Sequence, residues 1–408
     1  MRKSTYFLFR PALSRLASFS SLYLIGAIAP LAVLPVVARI GGVGSWAAVT
    51  MAQAVGSVAG VIVSLGFGLV GPARLANLPT DSARSLYATV QAKKLLAYVV
   101  ICPPAAAVSA ALATDPHRLL AASIAIASAT SGLSLAWFAI GTGRAYILAL
   151  YECLPKLISS VVALGAVALT QNVFLYPVLI WFFTVGGIAA FWLRMGIRKI
   201  GPNRRARIDW HAFTLELAAI LYVAAPLIVA GIILSVAEVS QLGSIDKVYR
   251  YALYCVIALT SSTIAWALET GRTISERRNI SLIFVIVGTL GFCAILVWGT
   301  AATAILFGEA VAAPPETCLG YAIAYLCVAS STPLVQFFLI PSGASRSVLA
   351  ITATCAIIGL PTMSLFASMW GASGLALGFG MSECANLLLL SATIYRHHRT
   401  GKLRLNGA

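Results

Sequence analysis

The charges of this 408-residue chain fall in narrow bands, and between the bands run apolar stretches long enough to cross a bilayer. A helix rises about 1.5 Å per residue, so roughly 20 apolar residues match a hydrocarbon core about 30 Å thick. Only 10% of the residues are charged and 60% are hydrophobic, whereas a soluble globular domain is about 25% charged. A water-soluble fold is excluded, and an all-α integral membrane protein is expected. In a soluble chain the net charge of +16 would point to nucleic acid. Here an excess of lysine and arginine marks cytoplasmic loops instead, and no nucleic-acid partner is expected.

Windows of about 19 residues place spans at 17–38, 46–70, 86–113, 119–141, 146–169, 173–193, 213–236, 246–268, 280–307, 317–340, 347–369 and 372–394. Clear breaks lie at Pro72 to Arg84, Arg194 to Arg207, Glu269 to Arg278 and Gly308 to Glu316. The divisions near Gln171-Asn172 and near Gly371 rest on length, because the charge-free runs there are too long for one span. With about 12 spans and both termini inside, the cytoplasmic side takes all but four of the 28 basic residues. The exceptions are Arg39, Arg118, Lys247 and Arg250. Moving one boundary destroys this parity. The basic start, Met1 to Arg15, looks like the head of a signal peptide. The apolar run from Ala17 to Ala38 is longer than the usual 7–15-residue core of roughly such a signal, so an uncleaved first helix is expected.

No loop reaches about 20 residues, too few for a catalytic domain of roughly 50 or more, and no phosphate-binding G-x-x-x-x-G-K-[ST] loop exists. The eight cysteines lie scattered in apolar runs without a CxxC pair and read as small core hydrophobes. His397-His398 falls in the cytoplasmic tail. No nucleophile–base–acid set appears, so neither an enzyme nor a metal or cofactor is expected. The basic loop 194–207 divides the chain into lobes 1–200 and 201–408, with six spans in each. A shift of 199 residues lays Leu22-Tyr23 on Leu221-Tyr222, Arg39 on Glu238 and Gly44-Ser45 on Gly243-Ser244. Two like-oriented halves of this kind are a transporter architecture, with substrate binding between them.

Three stretches carry a family resemblance. Pro35-Val-Val-Ala-Arg39-Ile-Gly-Gly-Val-Gly44 resembles the end of the first helix in polysaccharide exporters of the MOP superfamily. Gly66-Phe67-Gly68 followed by Ala73-Arg74-Leu-Ala76 is similar to their second-helix exit, and Ile305-Leu-Phe-Gly308-Glu309 to the close of their ninth. The type most similar is the Wzx-type O-antigen flippase. The resemblance implies transfer of an undecaprenyl-pyrophosphate-linked oligosaccharide across the bacterial inner membrane. It also implies membrane lipids, a polysaccharide polymerase and a chain-length regulator as partners. One departure stands out: the family often has a tyrosine early in helix 8, where this chain reads Leu242-Gly-Ser-Ile-Asp246-Lys247. Two rival readings remain. One is a MATE-like cation or drug antiporter, which needs an acidic cavity residue that the first span lacks. The other is a membrane-embedded glycan-transfer enzyme.

Function is then sought in the charges kept inside the membrane, each costing about 2.5–3.5 kcal/mol at the bilayer centre unless it faces a cavity or a partner. Lys93 and Lys94 lie inside the third span, about 100° apart around the helix, so one can face a cavity while the other reaches the headgroups. With Arg39, Arg74 and Arg144 they form the candidate cationic, substrate-binding set. Glu152 and Lys156 are spaced i,i+4 with the acid first, the better order for a helical pair. Asp246, Lys247 and Arg250 are expected as a cluster at the external end of the eighth span. Glu383 lies near the middle of the last. These six are read either as structural pairs or as gating and coupling groups.

Overall fold

The computed structural model describes residues 32–76, 78–196, 203–267 and 274–399. Most of the expected first span and both tails lie outside these. Contacts gather the described chain into two compact units, one up to Gly231 and one from Ile232.

The N-terminal unit holds α1 (Leu34–Ser64), α2 (Phe67–Leu75), α3 (Thr80–Leu112), α4 (Arg118–Ala129), α5 (Ala136–Thr142), α6 (Leu154–Thr170), α7 (Leu175–Arg194) and α8 (Trp210–Ile233). A single helical turn, Ala145–Leu148, and a π-helical turn, Ala149–Cys153, lead into α6. Helix α1 breaks at Gly42, whose φ of 68° suits glycine, and Gly41 faces Ser45 across the break. A second break follows at Leu65 and Gly66, both left-handed. Gly56 and Gly60 lie against α4 and the turn after it, so close that a Cβ on either would overlap Ser128 or Ser131. The G-x-x-x-G spacing there serves helix packing. An aromatic nest fills the centre: Tyr87 has the rings of Phe138, Phe191 and Trp192 within 4.9, 5.2 and 6.0 Å.

The lobe boundary expected at 200/201 and the division by contacts at 231/232 differ by one helix. The physical reason is local. Ser64 donates to Glu216 of α8 at 2.8 Å, and Gly231 seats Met51 of α1.

The C-terminal unit holds α9 (Val236–Ala267), α10 (Ile274–Phe307), α11 (Pro315–Pro333) and α12 (Ser345–Arg399), with a π-helical turn, Leu334–Leu339, after α11. Ser235 and Glu238 start α9 with a reciprocal capping box: the Glu238 carboxylate accepts from the Ser235 N–H and hydroxyl, and the Ser235 hydroxyl accepts from the Glu238 N–H. The same carboxylate accepts from the Ala372 N–H at 3.2 Å. Helix α12 is interrupted at Trp370 and Gly371 and folds back there as two antiparallel legs. Ser382 donates to the Cys355 carbonyl at 3.1 Å, although a straight helix would hold those residues about 40 Å apart. Gly374 and Gly378 pack on Phe366 and Met363 of the first leg, and Gly359 on Ser382 of the second. The sequence division at Gly371 falls on this turn.

Nine helices among the described residues are long and apolar enough to cross a membrane. Helix α9 is not one of them. The protein is a multi-pass, all-α membrane protein.

Candidate functional site

Each unit buries charged side chains. In the N-terminal unit, Tyr87, Gln91 and Lys94 follow at i, i+4 and i+7 on one face of α3. Lys94 is 2% exposed, and its ammonium stands 5.5 Å from the Trp137 ring centroid, a cation–π contact. Among the described residues, no carboxylate lies within the 4.0 Å of an ion pair with it. The acids whose fields reach it are Glu216 and Glu152, and both are engaged elsewhere. Glu216 accepts from Ser64 and lies over Gly68, where any side chain would displace it. Glu152 accepts from Lys156 Nζ at 2.9 Å, from the Ser134 hydroxyl at 2.9 Å and from the Leu135 N–H at 2.9 Å. The π-helical turn carries Glu152 to these donors. Around Lys94, the Tyr87 hydroxyl, the Gln91 Oε1 and the Trp137 Nε1 are buried without hydrogen-bond partners. Buried polar atoms of this kind mark a polar site.

The other basic residues of the expected set occupy separate environments. Lys93, one residue earlier, is exposed and donates to the Ala206 carbonyl at 2.8 Å. Arg74 grips the same stretch: it donates to the carbonyls of Arg205 and Arg207, pairs with Asp209 at 3.4 Å and stacks on Phe67. The two side chains tie the segment ahead of α8 to α2 and α3. Arg39 is exposed just before the Gly42 break. Arg144 is exposed as well, held by a helix-ending turn in which the Arg144 N–H donates to the Ala139 carbonyl and the Gly143 N–H to Ile140.

In the C-terminal unit the structure corrects the position of one cluster. Helix α9 starts at Val236, so Asp246 lies about ten residues, or roughly 15 Å, along it, not at its start as expected. One carboxylate faces two cations there, which leaves the cluster with a net charge of one positive. Asp246 is 2% exposed, accepts from Arg250 Nε at 2.7 Å and has Lys247 at 3.8 Å. Tyr249 packs beside them, edge-on to Tyr321, Tyr325 and Phe379. Glu383 is 6% exposed. Arg277, read from sequence as a loop cation, is buried at the start of α10 and donates to the Phe337 carbonyl at 3.0 Å. That acceptor lies in the π-helical turn after α11, about 60 residues away, and no local pattern announces it.

The fold is that of the MATE transporters. An inward-facing structure of a multidrug-resistance MATE family transporter of the MOP superfamily matches over 93% of this chain and 96% of its own, at a TM-score of 0.62 and 13% identity. The eukaryotic MATE transporter AtDTX14 matches over 96% of each chain, at 0.52 and 14%. An outward-facing MATE structure matches at 0.51 and 14%, again over 96% of each. No protein-family model and no curated protein matches the sequence. What these likenesses establish is a transporter-type fold in a multi-pass membrane protein.

Proposed function

We propose that this chain is a flippase for an anionic, lipid-linked oligosaccharide. In this reading it has 12 spans with both termini inside, lies in a bacterial inner membrane and works by alternating access. The substrate class is an undecaprenyl-pyrophosphate-linked repeat unit. The observation that carries the reading is Lys94. A buried ammonium with no carboxylate within ion-pair distance among the described residues can take an anion, and a pyrophosphate supplies one. The arrangement of the acids supports the same sign. Glu152 is matched by Lys156, and Asp246 by Arg250 and Lys247. No glycan-transfer chemistry is needed, and purified protein is expected to form no new glycosidic bond on lipid-linked sugars.

The second reading, a MATE-like antiporter for organic cations, is favoured by the fold neighbours, among which multidrug-resistance transporters occur. Charge reversal separates the two. In a strain lacking its own flippase, surface polysaccharide should fall in the order parental, Lys94→Ala, Lys94→Glu, because reversal adds repulsion of the substrate to lost attraction. The order should hold for different glycans on one carrier. Parental export by Lys94→Glu, or a gain of dye resistance without any glycan phenotype, would favour the antiporter and end the anionic-lipid reading.

A further inference from the structure

A second basic site lies apart from Lys94, near the start of α3. Arg84 is ten positions before Lys94, about 15 Å along the helix. It shares a cavity of about 180 Å³ with Arg144, Thr80 and Thr142, floored by Leu75, Phe138 and Met195. Three features give the cavity one sign. Both arginines are exposed, and the carboxylate nearest Arg84, Asp81, is 4.0 Å away and 97% exposed, so it screens weakly. Arg144 is aimed by the fixed turn after α5. Helix α3 starts without a side-chain cap, and its first internal bond is made by the Ala83 N–H to Pro79. The amides before Ala83 therefore add their partial positive charge to the two guanidiniums. The apolar floor keeps water from one side, which strengthens charge-assisted hydrogen bonds within.

We infer that this cavity binds a phosphate group. Two guanidiniums offer the planar forks that match phosphate oxygens, and the Thr80 hydroxyl and helix amides offer further donors, while the Thr142 hydroxyl already donates to the Phe138 carbonyl. By charge count the cavity belongs to the cytoplasmic side, where both anionic headgroups and free phosphates occur. The inference stands whether or not the transported molecule is a lipid-linked glycan.

The test uses the full chain in phosphatidylcholine nanodiscs. One arm titrates inorganic pyrophosphate calorimetrically. The other counts phosphatidylglycerol against phosphatidylcholine retained by the protein in native mass spectrometry. Binding in the first arm alone identifies a free phosphate, and binding in the second identifies a lipid headgroup. In whichever arm binds, the double variant Arg84→Gln/Arg144→Gln should weaken binding at least about tenfold, from two lost charge-assisted pairs. Arg144→Lys, which keeps the charge and loses the fork, should fall between. Arg118→Gln, exposed and paired with Asp115 at 3.3 Å, should change nothing. Because the arginines are exposed, the variants should melt as the parent does. No binding in either arm, or a double variant that binds like the parent, overturns the site.

Discussion

Replacing Glu152 with alanine removes the acceptor on which Lys156, Ser134 and the Leu135 N–H converge. Leu135 is fully buried, so its N–H would be left without a partner away from water, while Lys156 would lose its counter-charge. Breaking a buried pair by deleting one side costs about 3–5 kcal/mol. At roughly 2–4 °C per kcal/mol for a unit of this size, the melting temperature should drop by roughly 6–20 °C. Glu152→Gln is milder. It keeps an oxygen for the Leu135 and Ser134 donors and loses only the charge, and Lys156, 23% exposed, can still reach water. A cost of about 1–2 kcal/mol follows. Adding Lys156→Met to Glu152→Gln should return most of that loss, because a neutral pair has no ion to desolvate. Thermal melting of the four proteins in one detergent, alongside glycan export, gives the answer. If Glu152→Gln melts like the parent and yet abolishes export, the carboxylate carries a proton or a gate and the structural assignment fails.

Topology offers a direct check: reporters fused after Arg207 and after Arg278 should read cytoplasmic, and those near Pro116 and Pro314 external. A cytoplasmic signal from Pro314 breaks the 12-span parity. Two glycine substitutions should have opposite signs. A Cβ on Gly320 would overlap the Ala376 carbonyl of α12, so Gly320→Ala should cost about 1–3 kcal/mol. Gly165 has open space around its would-be Cβ, so Gly165→Ala should stabilise α6 by up to about 1 kcal/mol. Equal melting temperatures for the two variants would refute the packing account.

The sequence made the helical class legible because apolar length and charge parity are properties of the chain, not of its packing. The division at Gly371 could be placed from length alone, and the structure puts a turn there. The start of α9 was misplaced for a definite reason. Charged residues read as the edge of the membrane, but Asp246 pairs with both Lys247 and Arg250 within about one turn of helix, so Asp246 and Lys247 can stay buried while Arg250 is half-buried. Other features depended on contacts no window can contain. Glu216 meets Ser64 across 152 positions, and its seat is Gly68, a residue singled out from sequence only as part of a family-like turn. Arg84 looked like any loop cation until the fold set it beside Arg144.

The π-helical turn Ala149–Cys153 bears on how this protein can change length. Such a turn is an α-helix carrying one surplus residue. Deleting Ala149 or Leu150 would let the turn close into ordinary α-helix without breaking the chain. Glu152 and Lys156 would keep their spacing. Four residues of α-helix sweep about the same angle as the five of the turn, so Ile147 and Leu148, now buried, would stay on the face they occupy. The same deletion inside the regular helix α6 would rotate everything ahead of it by about 100°. The turn is therefore the place in this span where the chain tolerates a change of one residue, and an engineer shortening it should cut there.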